Sequence, residues 1–277
     1  MKELQAGGFS TRERMAIEAQ EKLSPRLIYE IIRRNGVEEL NRPAKALVFS
    51  GVIAGVMITF SFVCKAVFQT YLPDEPWSPL IANVGYSVGF ILVILGHMQL
   101  FTENTITTVV PMLNPITWKK VGGVLRLWSI VLASNLAGAA LAALFLTNHY
   151  AFNPEFVAQL DNIARHVAHF SAAENMWRGI PAGVLIASVV WMMPSAKYYA
   201  FWLVLFFTYL IALGDFTHIV VGSAEMAYWV MQGGADLFDY LFKFLIPTGA
   251  GNILGGTGVF TLLIYVQVVE ELGSAEK

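Results

Sequence analysis

A histidine and an aspartate lie inside a long apolar run of this chain, where ionisable side chains are expensive. The run covers residues 199–231, and its centre holds Asp215, Thr217, His218 and Gly222. An ionisable side chain at membrane depth faces protein or a water-filled cavity, so Asp215 and His218 are candidate functional residues. His218 is either satisfied by neighbours in the protein interior, or it donates a hydrogen bond, and near neutral pH a proton, to an anion in a pore.

A second apolar run is interrupted in a similar way, by Gln99 and by Thr102-Glu103-Asn104. The Thr102 hydroxyl can donate a hydrogen bond to a solute. A helix that breaks inside the membrane also exposes backbone N–H groups at a positive end, which suits an anion. An ionised Glu103 or Asp215 would oppose a bare anion, and the alternative for both is that they cap the N-terminus of a half-helix.

Six apolar blocks, each of at least about 20 residues, position these side chains. Of the 277 residues, 56% are hydrophobic and 14% are charged. Soluble domains carry about a quarter charged residues, so the composition predicts an all-α integral membrane protein. The predicted spans are 45–70, 79–112, 122–147, 176–195, 199–231 and 240–268, of which the second and fifth are broken.

The six-span domain, residues 44–268, is flanked by a basic segment at residues 1–43 and an acidic tail at residues 269–277. Lysine and arginine concentrate in the N-terminal segment and in the connections after the second and fourth blocks. This asymmetry predicts a multi-pass protein with a cytoplasmic N-terminus and, after six spans, a cytoplasmic C-terminus.

The N-terminal segment contains a short predicted helix. Ser24-Pro25 is a typical start and Asn35-Gly36 a typical stop. An isoleucine and leucine stripe between them predicts an amphipathic helix, either on the membrane surface or against the protein's own cytoplasmic face.

The first three blocks are repeated as the last three. Gly51-Val-Ile-Ala-Gly-Val-Met-Ile58 matches Gly179-Ile-Pro-Ala-Gly-Val-Leu-Ile186, and Asn135-Leu-Ala-Gly138 matches Asn252-Ile-Leu-Gly255. Because each copy crosses the membrane an odd number of times, the second copy must be inverted. Inverted repeats with interrupted helices in corresponding positions indicate a transport pathway near the bilayer midplane.

Several other classes of protein fit the sequence less well. The formal net charge of -2 argues against a nucleic-acid partner, and the single cysteine, Cys64, excludes a cysteine-based zinc cluster. We expect neither a metal nor a cofactor, and no removable signal peptide. An intramembrane hydrolase that uses Ser223 and His218 lacks a G-x-S-x-G elbow, and its two residues are off one helix face.

Apolar and basic residues complete the candidate pathway. The candidate constriction residues are Leu100, Phe101, Phe90, Tyr86 and Ile211, although such residues in membrane spans are mostly packing. Arg165 and His166, in the loop after the third block, form either an anion-attracting vestibule or part of a solvated loop. Lysines and arginines in the span flanks, such as Lys65 and Arg178, are expected to snorkel to the interface.

Three stretches resemble the formate/nitrite transporter family. They are GFILVILGHMQLFTENT at residues 89–105, GDFTHIVVGSAEM at 214–226 and FLIPTGAGNILGG at 244–256. The resemblance covers residues 40–270, about the whole six-span body. It implies an aquaporin-like protomer, a homopentamer with one pore in each protomer, and passage of small monovalent anions such as formate, nitrite or hydrosulfide as the protonated acid.

The resemblance also implies roles for individual residues. The family's pore histidine falls on His218 and its loop threonine on Thr102, while the two constrictions fall near Leu100 and near Phe90 with Ile211. The chain departs from the family at three positions, because Thr217 replaces a glutamate and Gly222 and Gly183 replace asparagines.

The sequence therefore predicts a channel in a bacterial inner membrane for a small monovalent anion or its conjugate acid, proton-linked through His218. Loss of the two asparagines, together with Glu103 and Asp215, favours instead a pore for a neutral small solute. A third hypothesis is a non-conducting membrane scaffold.

Overall fold

The computed structural model describes residues 23–275, with side chains up to residue 268. Residues 1–22 of the basic segment and residues 276–277 of the tail lie outside the described residues. Every regular element between residues 23 and 275 is a helix, so the predicted all-α class is confirmed.

The described residues form twelve α-helices, joined by short 3-10 and π-helical stretches. The first ten are α1 (Pro25–Asn41), α2 (Ala44–Ile58), α3 (Phe60–Tyr71), α4 (Ser78–Leu95), α5 (Phe101–Thr107), α6 (Trp118–Leu146), α7 (Pro154–Ala168), α8 (Ala172–Met192), α9 (Ala200–Leu213) and α10 (Ile219–Met231). The last span combines π-helix at Asp239–Leu245 and Leu254–Thr261 with α11 (Ile246–Ile253) and α12 (Leu262–Ala275).

Five helical stretches are long and apolar enough to cross a bilayer: Ala44–Tyr71, Ser78–Leu95, Trp118–Leu146, Ala172–Ser195 and Asp239–Val268. The apolar helices α9 and α10 are shorter, and the predicted sixth crossing would need both of them. Many apolar side chains point outward, and Phe145, Trp202 and Leu263 each leave more than half of their surface exposed. An exposed apolar surface of this kind is stable where lipid covers it.

Close contacts between helix backbones explain many of the glycines. A Cβ on Gly55 of α2 would strike the carbonyl oxygen of Asn135 in α6, and a Cβ on Gly255 would strike that of Ile180 in α8. Small residues at such positions let helices approach closely.

Helix α1 packs on the protein itself, which decides between the two predicted locations. Ser24 caps its start, because the side-chain oxygen accepts from the N–H of Leu27 at 3.4 Å. Ile28, Tyr29 and Ile32 are buried in one cluster with α5, α8 and the last span.

The predicted stop at Asn35-Gly36 is wrong, since α1 continues to Asn41. Gly36 is buried, and a Cβ there would strike the carbonyl oxygen of Thr107. The glycine is therefore required by close packing and does not end the helix.

Replacing Gly36 by alanine should loosen the docking of α1. The added methyl group meets backbone, and overpacking of this kind costs about 1–3 kcal/mol. We expect faster amide hydrogen exchange in α1 and unchanged exchange in α6. Asn35→Ala, at the exposed neighbouring position, is the control, and equal exchange in both variants would contradict this account of Gly36.

Candidate functional site

Asn135 of α6 holds the break between α4 and α5. Its amide nitrogen donates to the carbonyl oxygens of Gly51 at 2.9 Å and Gln99 at 2.8 Å, and its side-chain oxygen accepts from the N–H of Phe101 at 2.9 Å. The side chain is fully buried. One asparagine thus joins α2, the break and the first residue of the half-helix.

Asn252 of α11 holds the second break in the same way. It donates to the carbonyl oxygens of Gly179 and Thr217, both at 2.9 Å, and accepts from the N–H of Ile219 at 2.9 Å. The two matched asparagines of the sequence repeat therefore perform one structural task in the two halves of the chain.

Corresponding backbone geometry accompanies these contacts. The breaks span residues 96–100 and 214–218, and His97 and Asp215 both adopt positive φ angles, of 52° and 56°. The residues immediately before the half-helices are Leu100 and His218, with nearly equal φ and ψ angles. The repeat therefore places a leucine in one half where the other half has the histidine.

His218 contacts Thr102 across the two halves. The His218 Nε2 atom lies 2.8 Å from the Thr102 hydroxyl oxygen, and each residue is only 1% exposed. The His218 Nδ1 atom accepts from the backbone N–H of Val221 at 3.3 Å, which caps α10. An accepting ring nitrogen carries no proton, so in the neutral ring Nε2 is the donor to Thr102. The hydroxyl proton of Thr102 is then free for another acceptor.

Aromatic rings surround this pair. The Phe90 ring lies 4.9 Å from the His218 ring, edge to face, and the Tyr86 ring lies 5.5 Å from Phe90. Tyr86, Phe90, Leu100, Phe101 and Ile211, the predicted constriction residues, are all buried in one apolar cluster, and Phe90 is the member whose ring contacts His218. The Phe101 ring packs against Trp128 and lines neither of the cavities described next.

Two cavities approach the His218–Thr102 pair from opposite ends of α4. The first, of about 510 Å³, is lined by Pro79 at the start of α4 and by Tyr86 and His218. The second, of about 690 Å³, is lined by Leu95 at the end of α4 and by Leu100. Phe90 and Thr102 line neither cavity and close the space between them.

The cavities differ in charge. The first presents Lys65, His166, Asp215 and Glu225, and the amides Gln69, Asn83, Gln159 and Asn162. The second presents three carboxyl groups, on Glu38, Glu39 and Glu103, and one ammonium group, on Lys197. An anion is therefore better accommodated in the first cavity than in the second.

The predicted vestibule residues lie on helix α7, and the loop assigned to them in the sequence is wrong. His166 is bonded to the Asp215 carboxylate at 2.9 Å, while the Arg165 guanidinium lies over the Trp229 ring. Arg178 of α8 forms a salt bridge with the same aspartate at 3.0 Å. Asp215 is bonded to His166 and Arg178 and does not cap the half-helix, whose start is capped by His218.

Other predicted residues lie beside the breaks or away from the pore. Gln99 and Thr217 are in the breaks, whereas Glu103, Asn104 and Gly222 are in the first turns of α5 and α10. This corrects their assignment to the breaks, because the half-helices begin as soon as Asn135 and Asn252 have capped them.

Gly183 was expected to face the pore, and the structure corrects this. It packs against the carbonyl oxygen of Asn252 and the N–H of Gly256, and it lines neither cavity. Ser223 donates to the carbonyl oxygen of Ile219 at 2.5 Å inside α10, so the hydrolase pair with His218 is not formed.

Sequence reasoning did not assign several residues to the first cavity, among them Lys65, Asn83, Glu225 and Phe244. Glu225 could have been found, because it is a third ionisable residue in the fifth block after Asp215 and His218, seven positions after His218 and so on the same helix face. Phe244 comes from the last span and has no such signal.

Phe244 occupies the space left by Gly222. A Cβ on Gly222 would contact the Phe244 ring, whose Cε2 atom would lie 2.7 Å away, and Phe244 is 1% exposed. A ring from the last span therefore stands beside His218 where the family resemblance implies an amide.

Gly222→Ala should destabilise the protein by about 1–3 kcal/mol through this overpacking. Phe244→Leu should relieve the clash, so the two changes should be less than additive in a double-mutant cycle of melting temperatures. If the two changes in melting temperature were strictly additive, the account in which Gly222 leaves room for the Phe244 ring would be wrong.

Comparison with known proteins agrees with this geometry. The family model described as Formate/nitrite transporter matches residues 26–266. The inner membrane protein YfdC of Escherichia coli is 40% identical over 250 residues, which cover 90% of this chain and 81% of that protein. The formate channel FocA of Escherichia coli is 25% identical over 276 residues, covering 90% of this chain and 95% of FocA.

Two solved structures share the fold. A pentameric formate channel with formate bound has a TM-score of 0.68 at 22% identity and covers 82% of this chain and 97% of its own. An FNT family ion channel has a TM-score of 0.73 at 17% identity, with coverage of 87% and 98%. The chain belongs to the formate/nitrite transporter family.

Proposed function

We propose that the chain is a channel for a small monovalent anion, formate-like or nitrite-like, or for its conjugate acid. The observation that carries the proposal is the buried hydrogen bond between His218 and Thr102, placed between two blind cavities. The relatives support it, since two of them are described as formate channels.

The first cavity supplies the attraction for an anion. Lys65 lines it, and α10 begins at its floor with a positive end. The Thr102 hydroxyl oxygen accepts from the His218 Nε2–H group. The hydroxyl can therefore donate its own proton to an oxygen of the solute. His218 therefore acts with Thr102 as a hydrogen-bond relay, which holds or protonates the anion.

The passage beyond this relay is apolar. Phe90 and Leu100 are almost fully buried beside it, and an ionised group in such surroundings costs several kcal/mol. Passage as the neutral acid avoids this cost. The acidic second cavity also opposes a bare anion and accepts a neutral acid.

We place the protein in a bacterial inner membrane as a homopentamer with cytoplasmic termini. The relative YfdC is named an inner membrane protein, and one structural neighbour is pentameric. The distribution of lysine and arginine supports the orientation.

A second candidate, a pore for a neutral small solute, is favoured by the acidic second cavity. Purified protein in proteoliposomes distinguishes the two. Initial uptake of formate, nitrite, hydrosulfide and acetate should be measured between about pH 5 and 8, where a histidine changes charge, beside urea and glycerol.

Anion uptake that rises at acid pH would support the weak-acid channel. Uptake of urea or glycerol alone, independent of pH, would support the neutral pore. No flux of any solute would favour the non-conducting scaffold and overturn the proposal.

A further inference from the structure

A buried carboxyl group in the first cavity has no protein partner. Glu225 of α10 is 4% exposed and lines the cavity, and no hydrogen bond or ion pair reaches it from the side chains described up to residue 268. Its carboxyl oxygens are not sealed off by surrounding protein atoms, so they open into the cavity. A carboxyl group placed in this way is available to a solute or to water.

The location of Glu225 puts it on the path to His218. Seven residues separate them on one helix, so they share a face at a separation of about 10 Å along the axis. From His218, α10 runs toward α7, where the Tyr228 hydroxyl donates to Asp161 at 2.8 Å. Glu225 therefore lies between the histidine and the α7 end of the cavity.

Lys65 of α3 lines the same cavity and is half-buried. It forms no ion pair within 4.0 Å with any described carboxylate. The cavity thus offers one cation that can bind an anion and one carboxyl group that can exchange a proton with it.

The other titratable groups around Glu225 are paired or belong to the pore. Asp215 is bonded to His166 and Arg178, and Asp161 to Tyr228. The remaining groups that face this region are Tyr86 and His218, Arg165 of α7, and Tyr240 with the Asp239–Lys243 pair of the last span. Glu225 is therefore the one acid lining this cavity without a described partner.

We propose that Lys65 and Glu225 form a proton-exchange subsite for the anion of a small weak acid, ahead of the His218–Thr102 relay. The Lys65 ammonium group binds the anion, and the O–H bond of the protonated Glu225 carboxyl group breaks as its proton joins an oxygen of the anion. The products are the neutral acid and the Glu225 carboxylate, which takes up a proton from the bulk solution through the cavity before the next cycle. This subsite rests on the proposed channel function.

The test compares wild type with Glu225→Gln, which keeps the size and loses the exchangeable proton. At neutral pH we expect formate uptake to fall about tenfold or more, because a proton-transfer group is lost. The loss should shrink at acid pH, where undissociated acid is supplied from solution. A purely structural role would lower uptake equally at every pH. Glu155→Gln, at an exposed position on α7, is the control and should change nothing.

Infrared difference spectra supply a readout that does not need transport. Formate added to reconstituted wild type at neutral pH should remove the C=O band of a protonated carboxyl group. The change should be absent in Glu225→Gln and should need more formate in Lys65→Met. It tests the subsite even if the wild type conducts nothing, which would overturn the channel function alone. A carboxyl band that formate leaves unchanged, or unaltered neutral-pH uptake by Glu225→Gln, would overturn the subsite.

Discussion

Replacing His218 by asparagine should lower formate uptake by about 10-fold or more, because the relay loses the Nε2–H group that donates to Thr102 and, with it, a proton donor of the pore. Histidine reaches Thr102 with Nε2 while it caps α10 with Nδ1. Asparagine is a strong helix cap, but its shorter side chain does not extend to Thr102. The variant therefore removes the hydrogen bond to Thr102 and keeps the cap of α10.

Alanine at the same position would remove both functions, and a loss of uptake would then be ambiguous. Melting temperatures of His218→Asn and wild type should agree within about 2 °C, since the cap is retained. His169→Ala, at an exposed position outside both cavities, is the histidine control. Uptake by a folded His218→Asn protein at the wild-type rate and pH dependence would remove His218 from the mechanism.

The broken helices were predictable because two properties of the sequence coincide there. Polar residues interrupt apolar blocks that are too long for one crossing, and the interruptions fall at matching places in a repeat. The uninterrupted span expected at residues 122–147, for example, corresponds to the helix Trp118–Leu146. His218 and Thr102 were found by the same reasoning, because each is a polar residue close to a break.

Partners on different helices were not predictable in this way. Lys65 lies six residues before the end of its span, where a lysine commonly snorkels to the interface. The rule failed because the helix face, and not the distance from the end, decides whether the side chain meets lipid or a cavity. For Gly222, the sequence showed the lost amide but not the Phe244 ring that fills the space.

The asparagines of the repeat show the same limit. Asn135 and Asn252 marked the repeat in the sequence, but their task depends on the fold. Each satisfies three backbone groups at the one place where the helix cannot do so itself. Broken helices are tolerated in membranes only where such groups are satisfied by protein or water. Each break therefore depends on the asparagine that bonds its backbone.

The second large effect is therefore expected for Asn252→Ala. The substitution leaves the carbonyl oxygens of Gly179 and Thr217 and the N–H of Ile219 without partners in a buried site. A buried group without its partner costs about 1–3 kcal/mol, so we expect a loss of at least about 3 kcal/mol and a fall in melting temperature of about 6–12 °C in detergent.

Asn135→Ala should cost a similar amount, because Asn135 makes the same three contacts in the other half of the chain. Asn162→Ala, which removes an exposed asparagine of α7, should leave the melting temperature unchanged. Asn252→Ala should also lower uptake per folded molecule, since Asn252 fixes the break that presents His218. A melting temperature close to that of wild type for Asn252→Ala would mean that water replaces the asparagine, and that the break does not depend on it.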